Sequence, residues 1–174
     1  RLLSSFSLLA KASKLHPDDL EVRLKYAMAL QSVGKTKESR DEVLQILSLQ
    51  PTNEEALMLL VDASGSTNDL NDARQRLGNL SSVGGGLAGY QIALGTAALR
   101  TRDTNTAAEC YRRALSANPQ SGAAHMAMGS LYVINKDLTN ALAEFKQAAA
   151  VSPLRSPYQV RYADFLVTMD ASSE

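Results

Sequence analysis

Tryptophan is absent, and three phenylalanines and six tyrosines are the only aromatic residues in 174 positions. The apolar share of 45% is therefore mostly Leu, Ala, Val and Met, a supply that suits helices because Ala and Leu lose little on entering one. A single cysteine, Cys110, excludes an internal disulfide and a two-cysteine metal site. It leaves the redox compartment open. Neither charge sign is in excess, with 18 Lys plus Arg against 18 Asp plus Glu. That balance removes the broad attraction that nucleic acid or an anionic membrane would need. No apolar run approaches a membrane span, and Arg1 to Leu15 lacks the continuous apolar stretch and small-residue cleavage site of a signal peptide. A soluble chain is expected, either cytoplasmic or exported after loss of an upstream signal, since the sequence starts at Arg1 without Met.

Proline is also scarce, but its placement is informative. Four of the five prolines, Pro17, Pro51, Pro119 and Pro153, are separated by 34, 68 and 34 residues, with Gly85 at the vacant midpoint. A fixed 34-residue period is the signature of stacked units, each a helix, a turn and a second helix. The period predicts complete units at 20–53, 54–87, 88–121 and 122–155.

The positions within each unit have physical roles. Ala27, Gly95 and Gly129 share one phase of the first helix, where a small residue lets the second helix approach closely. Ala73, Ala107 and Ala141 hold the matching phase of the second helix, and Val43, Leu77, Tyr111 and Phe145 fall on the same face to fill the space beside the contact. The proline then ends the second helix, because the residue before it is pushed out of the helical region. The fourth unit, with His125, Met128-Gly129, Tyr132, Ala141, Phe145 and Pro153, has the spacing of the tetratricopeptide repeat, and the third agrees through Leu94-Gly95, Ala107, Tyr111, Ala114 and Pro119. Through this register the whole chain resembles the tetratricopeptide repeat family. The resemblance implies an all-α, right-handed superhelical solenoid of antiparallel helix pairs.

Start signals are expected at Asp18 with Glu21, at Thr52 with Glu55 and at Ser156-Pro157. Turns between paired helices are expected at Gly34 to Lys37, Asn68 to Asp72, Arg102 to Thr106 and Lys136 to Asn140. The second unit departs furthest, with Val61 at the small-residue phase, Gly65-Ser66 near the end of its first helix and Gly84-Gly85-Gly86 in place of a proline turn. It is the expected soft point of the stack. Leu9 and Ala12 stand one period before Val43 and Ile46, so 1–19 reads as a second helix without its first; Tyr162-Ala163 and Leu166 make 156–174 a first helix without its second. Both ends being uncapped, the chain is expected to be part of a longer array, or to associate with copies of itself through those ends.

Chemistry has little foothold. Gly84-x-Gly86-x-x-Gly89 spells a dinucleotide fingerprint, but the mechanism needs a strand before the glycines and a helix is expected there. His16 and His125 have no ligand spacing with each other or with Cys110, His125 is read as a packing residue, and no nucleophile–base pair is identifiable. Asn79-Leu80-Ser81 spells a glycosylation acceptor inside an expected helix. No enzyme, cofactor or metal is expected. The family resemblance implies a protein-interaction scaffold whose first helices line a concave groove. Its inward phases here are Leu24, Met28, Met58, Asp62, Ile92, Thr96, Leu99, Met126, Ser130, Val133 and Val160. Their apolar, Met-containing character points to an apolar or amphipathic peptide segment of another protein. The lysine–asparagine clamp that some family members use for peptide carboxylates is missing, with Leu24, Met28, Ala123 and Ala127 at its positions. The alternative is a regulatory or substrate-recruiting arm of a larger enzyme or secretion complex.

Overall fold

The structure, a computed structural model, describes residues 2–170, all helix and short turns with no strand among them. Backbone contacts gather these into two compact units that divide between Gly85 and Gly86.

The first unit holds α1 (Leu2–Leu15), α2 (Leu20–Ser32), α3 (Thr36–Leu49), α4 (Glu54–Asp62), α5 (Thr67–Asn79) and the one-turn α6 (Ser81–Gly84). The second holds α7 (Ala88–Arg100), α8 (Thr104–Ala117), α9 (Gly122–Ile134), α10 (Leu138–Ala150) and α11 (Pro157–Asp170). Within each unit consecutive helices pack on one another, joined by turns of one to six residues that keep sequence neighbours adjacent.

Helix-to-helix spacing follows from complementary side-chain sizes sixteen positions apart. A Cβ built on Gly95 would stand 2.5 Å from the Tyr111 ring, and one on Gly129 would stand 2.6 Å from the Phe145 ring. Hydrogen at those two positions is what admits the rings. Elsewhere the pair is rebalanced to Ala27 with Val43 and Val61 with Leu77, all four essentially without exposure. Phe145 in turn meets Phe165 edge-on, with centroids 4.9 Å apart at 72°, and Arg161 lies over its face. Each such buried side chain contributes about 1.5–3 kcal/mol relative to an exposed one.

Helix caps recur two residues after Pro17, Pro51 and Pro119, one residue later than the sequence predicts in the first two cases. Asp19, not Asp18, accepts the amides of Glu21 and Val22, and Asn53, not Thr52, accepts that of Ala56. Ser121 caps α9 in the same register, and Ser156 accepts from Gln159 with Pro157 opening α11. Short polar residues stand side by side at these places. The proline turn decides between them, because it spends two residues before the first helical amide.

The turns between paired helices sit earlier than predicted, at 33–35, 101–103 and 135–137. Each closes with the same device. The amides of Lys35, Asp103 and Asp137 reach back five residues to Leu30, Ala98 and Tyr132, around a left-handed corner at Gly34 (φ 77°), Arg102 (φ 64°) and Lys136 (φ 61°). The second repeat breaks this rule. Its α4 stops after nine residues, 63–66 unwind, and Ser66 caps α5 in a reciprocal box with Asp69. The stretch Asn68 to Asp72, predicted as a turn, is therefore helix. Ser66 captured the helix start one turn before the phase at which Asp103 and Asp137 cap α8 and α10.

The space left by the shortened α4 is filled from α3. Arg40, at 8% exposure, donates to Ser64 Oγ at 3.1 Å and to Asp72, and lies 3.5 Å from Asp69. Four polar groups thus replace one apolar turn.

Candidate functional site

The eleven residues predicted to face inward separate by burial. In the first unit, α2 and α4 lie side by side, joined where Gln31 Nε2 donates to the Asp62 carbonyl at 3.0 Å. Leu24 is buried between helices, Met58 is half-buried, and Met28, at 53%, and Asp62 are exposed. The second unit places Ile92 in its core, with Thr96, Leu99, Met126, Ser130 and Val133 half-buried and Val160 exposed.

Several of these side chains also have structural partners. Thr96 Oγ1 lies 3.3 Å from the Tyr111 hydroxyl, Ser130 Oγ donates to the Met126 carbonyl, and Met126 and Val133 pack against the Ala141–Phe145–Phe165 cluster. The available apolar surface is thus narrower than the sequence pattern: Met28 and Met58 in the first unit, and the outer parts of Leu99, Met126 and Val133 with Val160 in the second. Each sits on the first helix of a pair, or on α11.

Two clefts open elsewhere in the first unit. One of about 160 Å³ is lined by Leu47, Pro51, Leu57, Arg76, Asn79 and Leu80, and one of about 290 Å³ by Thr36, Lys37, Arg40, Ala63, Gly65 and Asp69. Neither contains a residue of the predicted groove.

The electrostatics are mild. The Ser66 hydroxyl bonded to Asp69, with Arg40 nearby, holds that carboxyl below the usual carboxylate range, and burial pushes the Tyr90 hydroxyl and the Cys110 thiol up. A raised, buried thiol is a poor nucleophile. Among the described residues no group of three His, Cys, Asp or Glu side chains could hold a metal, and no helix is long and apolar enough to cross a membrane. Gly84 ends α6, Gly86 lies in the turn after it and Gly89 is in the first turn of α7, without the strand a dinucleotide site requires. Asn79 and Ser81 lie on either side of the break between α5 and α6, so the acceptor sequence is not inside one helix as predicted.

Sequence reasoning missed the cross-helix polar contacts. Arg23 donates to Glu42 Oε2 at 2.6 Å and to the Pro17 carbonyl at 2.8 Å; His125 Nδ1 lies 2.7 Å from Glu144 Oε2 and its Nε2 lies 3.0 Å from the Pro119 carbonyl. The signal was present in the period, since Arg23, Glu42 and Pro17 stand three repeats before His125, Glu144 and Pro119.

Residues 92–155 match the tetratricopeptide repeat family model. No curated protein matches the chain in sequence. Among solved structures, a thermophilic tetratricopeptide protein of Thermus thermophilus, TTC0263, is 20% identical with a TM-score of 0.73, covering 96% of this chain and 91% of that one. MamA of Desulfovibrio magneticus, residues 41 to the end, is 17% identical with a TM-score of 0.51, covering 86% and 85%. A chain of the APC/C hetero-tetramer Cut9–Hcn1 is 14% identical with a TM-score of 0.61, covering 85% of this chain and 29% of that one. With the 34-residue period, the paired helices and the small-to-aromatic contacts already in place, these likenesses identify tetratricopeptide repeats in residues 92–155 and give the chain the fold of tetratricopeptide-repeat structures.

Proposed function

We propose that the protein is a non-catalytic interaction scaffold that holds an apolar or amphipathic peptide segment of a partner protein against the first helices of its repeats. The observation that carries this reading is the exposure of Met28 on α2, with Met58 half-exposed on the adjacent α4. Folding gains nothing from leaving a large thioether in water. An unbranched, polarizable side chain adapts to irregular apolar partners, and a helix laid along the pair would meet both methionines from one side. Asp62, exposed at the Met28 phase one repeat later, would favour a segment that also carries a basic residue.

The repeat fold favours the same reading, since stacked units present continuous surfaces. One of the similar structures is a chain within a hetero-tetramer. The test compares Met28→Glu with Leu49→Glu, which alters an exposed apolar residue on the second helix of the same pair. Both variants should fold, and only Met28→Glu should lose the proteins that the wild-type chain captures, by about tenfold or more. Loss from both, or from neither, would remove the first helices from consideration.

A further inference from the structure

We propose that His125 is a protonation-controlled latch that ties the turn before α9 to α10. Three positions that recur with the repeat define the device: the carbonyl of the turn residue, a side chain six residues later on the first helix, and one nineteen residues beyond that on the second helix. In the first repeat they are Pro17, Arg23 and Glu42, with the guanidinium bridging carbonyl and carboxylate. The fourth repeat holds the same arrangement in Pro119, His125 and Glu144. Side-chain exposures match as well, 12% and 20% for Arg23 and Glu42 against 13% and 23% for His125 and Glu144.

Both atoms facing the imidazole are acceptors. The Pro119 carbonyl can only accept, and the Glu144 carboxylate when ionised can only accept. A ring that satisfies 2.7 Å and 3.0 Å contacts at its two nitrogens must therefore donate from both, as a guanidinium does permanently. Neutral imidazole has one N–H. On losing the second proton it sets a lone pair against either the carboxylate or the carbonyl, and that contact opens. The turn that seats the Ser121 cap of α9 is then held at one point rather than two.

No other charge substitutes for the missing one. The charged residues on the elements packed against α9 are Arg100 on α7, Glu109, Arg112 and Arg113 on α8, Lys146 beside Glu144 on α10 and, between the Tyr158 and Phe165 contacts of α11, Arg161 and Asp164. All except Glu144 are exposed, and Arg113 pairs with Glu109. Among the described residues, Glu144 is the one charged group within bonding distance of the ring. In the two middle repeats these positions hold no pair of opposite charges. Pro51, Leu57 and Arg76 at these positions line the 160 Å³ cleft, and Gly85, Gln91 and Cys110 contain no ion pair of this kind.

The sign follows from the donor count. The latch is complete while the ring carries both protons and is lost as the pH rises through its deprotonation. Amide hydrogen exchange on the intact chain, corrected for intrinsic rates, tests it between pH 5.5 and 8. Protection at 120–125 should fall about tenfold at the upper pH, the loss expected for one charge-assisted hydrogen bond. The equivalent amides at 18–23, held by Arg23, should not respond. His125→Arg should make 120–125 equally insensitive. A flat wild-type profile, or a pH response that persists in His125→Arg, overturns the proposal. Nitrogen NMR of the wild-type ring gives an independent reading that requires no variant: two N–H groups at pH 5.5 are expected, and a single tautomeric N–H there overturns it.

Discussion

Gly129→Ala adds one methyl group where the structure has no room for it. The new Cβ would stand 2.6 Å from Cδ1 and Cε1 of Phe145 and 3.3 Å from Glu144 Cβ. Phe145 cannot swing away, because it is fully buried and wedged edge-on against Phe165. Overpacking of this kind costs about 1–3 kcal/mol, while alanine returns roughly 1 kcal/mol of helix propensity over glycine. With about 2 kcal/mol for the overpacking, the middle of that range, the net expectation is a loss of about 1 kcal/mol, read as a lower urea midpoint at unchanged slope and a melting point reduced by a few degrees. A cycle with Phe145→Leu sharpens the test, since leucine is the residue that Leu77 supplies opposite Val61. That variant alone leaves a void and is also destabilising, yet the double variant should be at least about 1 kcal/mol more stable than the two losses added together. If Gly129→Ala proves neutral or stabilising, or the two changes simply add, size complementarity does not set the helix spacing.

Two further outcomes are expected. Lys136→Gly relieves a non-glycine residue from a left-handed corner, φ 61°, and should stabilise the chain by about 0.5–1 kcal/mol in urea unfolding, whereas Gly34→Ala at the equivalent corner, φ 77°, should destabilise it by about 1 kcal/mol. Asp69, held below the usual carboxylate range chiefly by the Ser66 hydroxyl, contributes stability above its unfolded-state titration that is lost as pH falls through its lowered folded one. NMR titration should therefore show the Asp69 carboxyl protonating below the usual carboxylate range, and Ser66→Ala should return it toward that range.

Periodicity made the architecture legible, because the residues that set helix spacing are the most constrained by volume. Ala27, Gly95, Gly129, Tyr111 and Phe145 could be given roles before any coordinates, and all five are buried. Helix boundaries were less legible for a chemical reason. Asp18 and Asp19, or Thr52 and Asn53, are equally able to cap, and only the geometry of the preceding proline turn selects one. Ser66 and Asp69 misled further, since the residues that mark turns are also those that cap helices. Of the predicted surface, the phases were readable but the exposures were not. Leu24 and Met28 lie one turn apart on the same helix, yet one is buried between neighbours and the other faces outward. The polar bridges of Arg40 and His125 escaped because their partners lie 19 to 32 residues away, beyond any local pattern.

The inverse sizing of residues sixteen positions apart bears on how such a chain could be shuffled. Each complementary pair straddles the turn within one repeat, so a crossover in that turn would unite halves that never fitted, a glycine with a valine or a valine with a phenylalanine. A crossover at a proline would carry both members together. The 34-residue unit bounded by prolines is thus also the smallest piece of this chain that can be duplicated or exchanged with its volume already balanced.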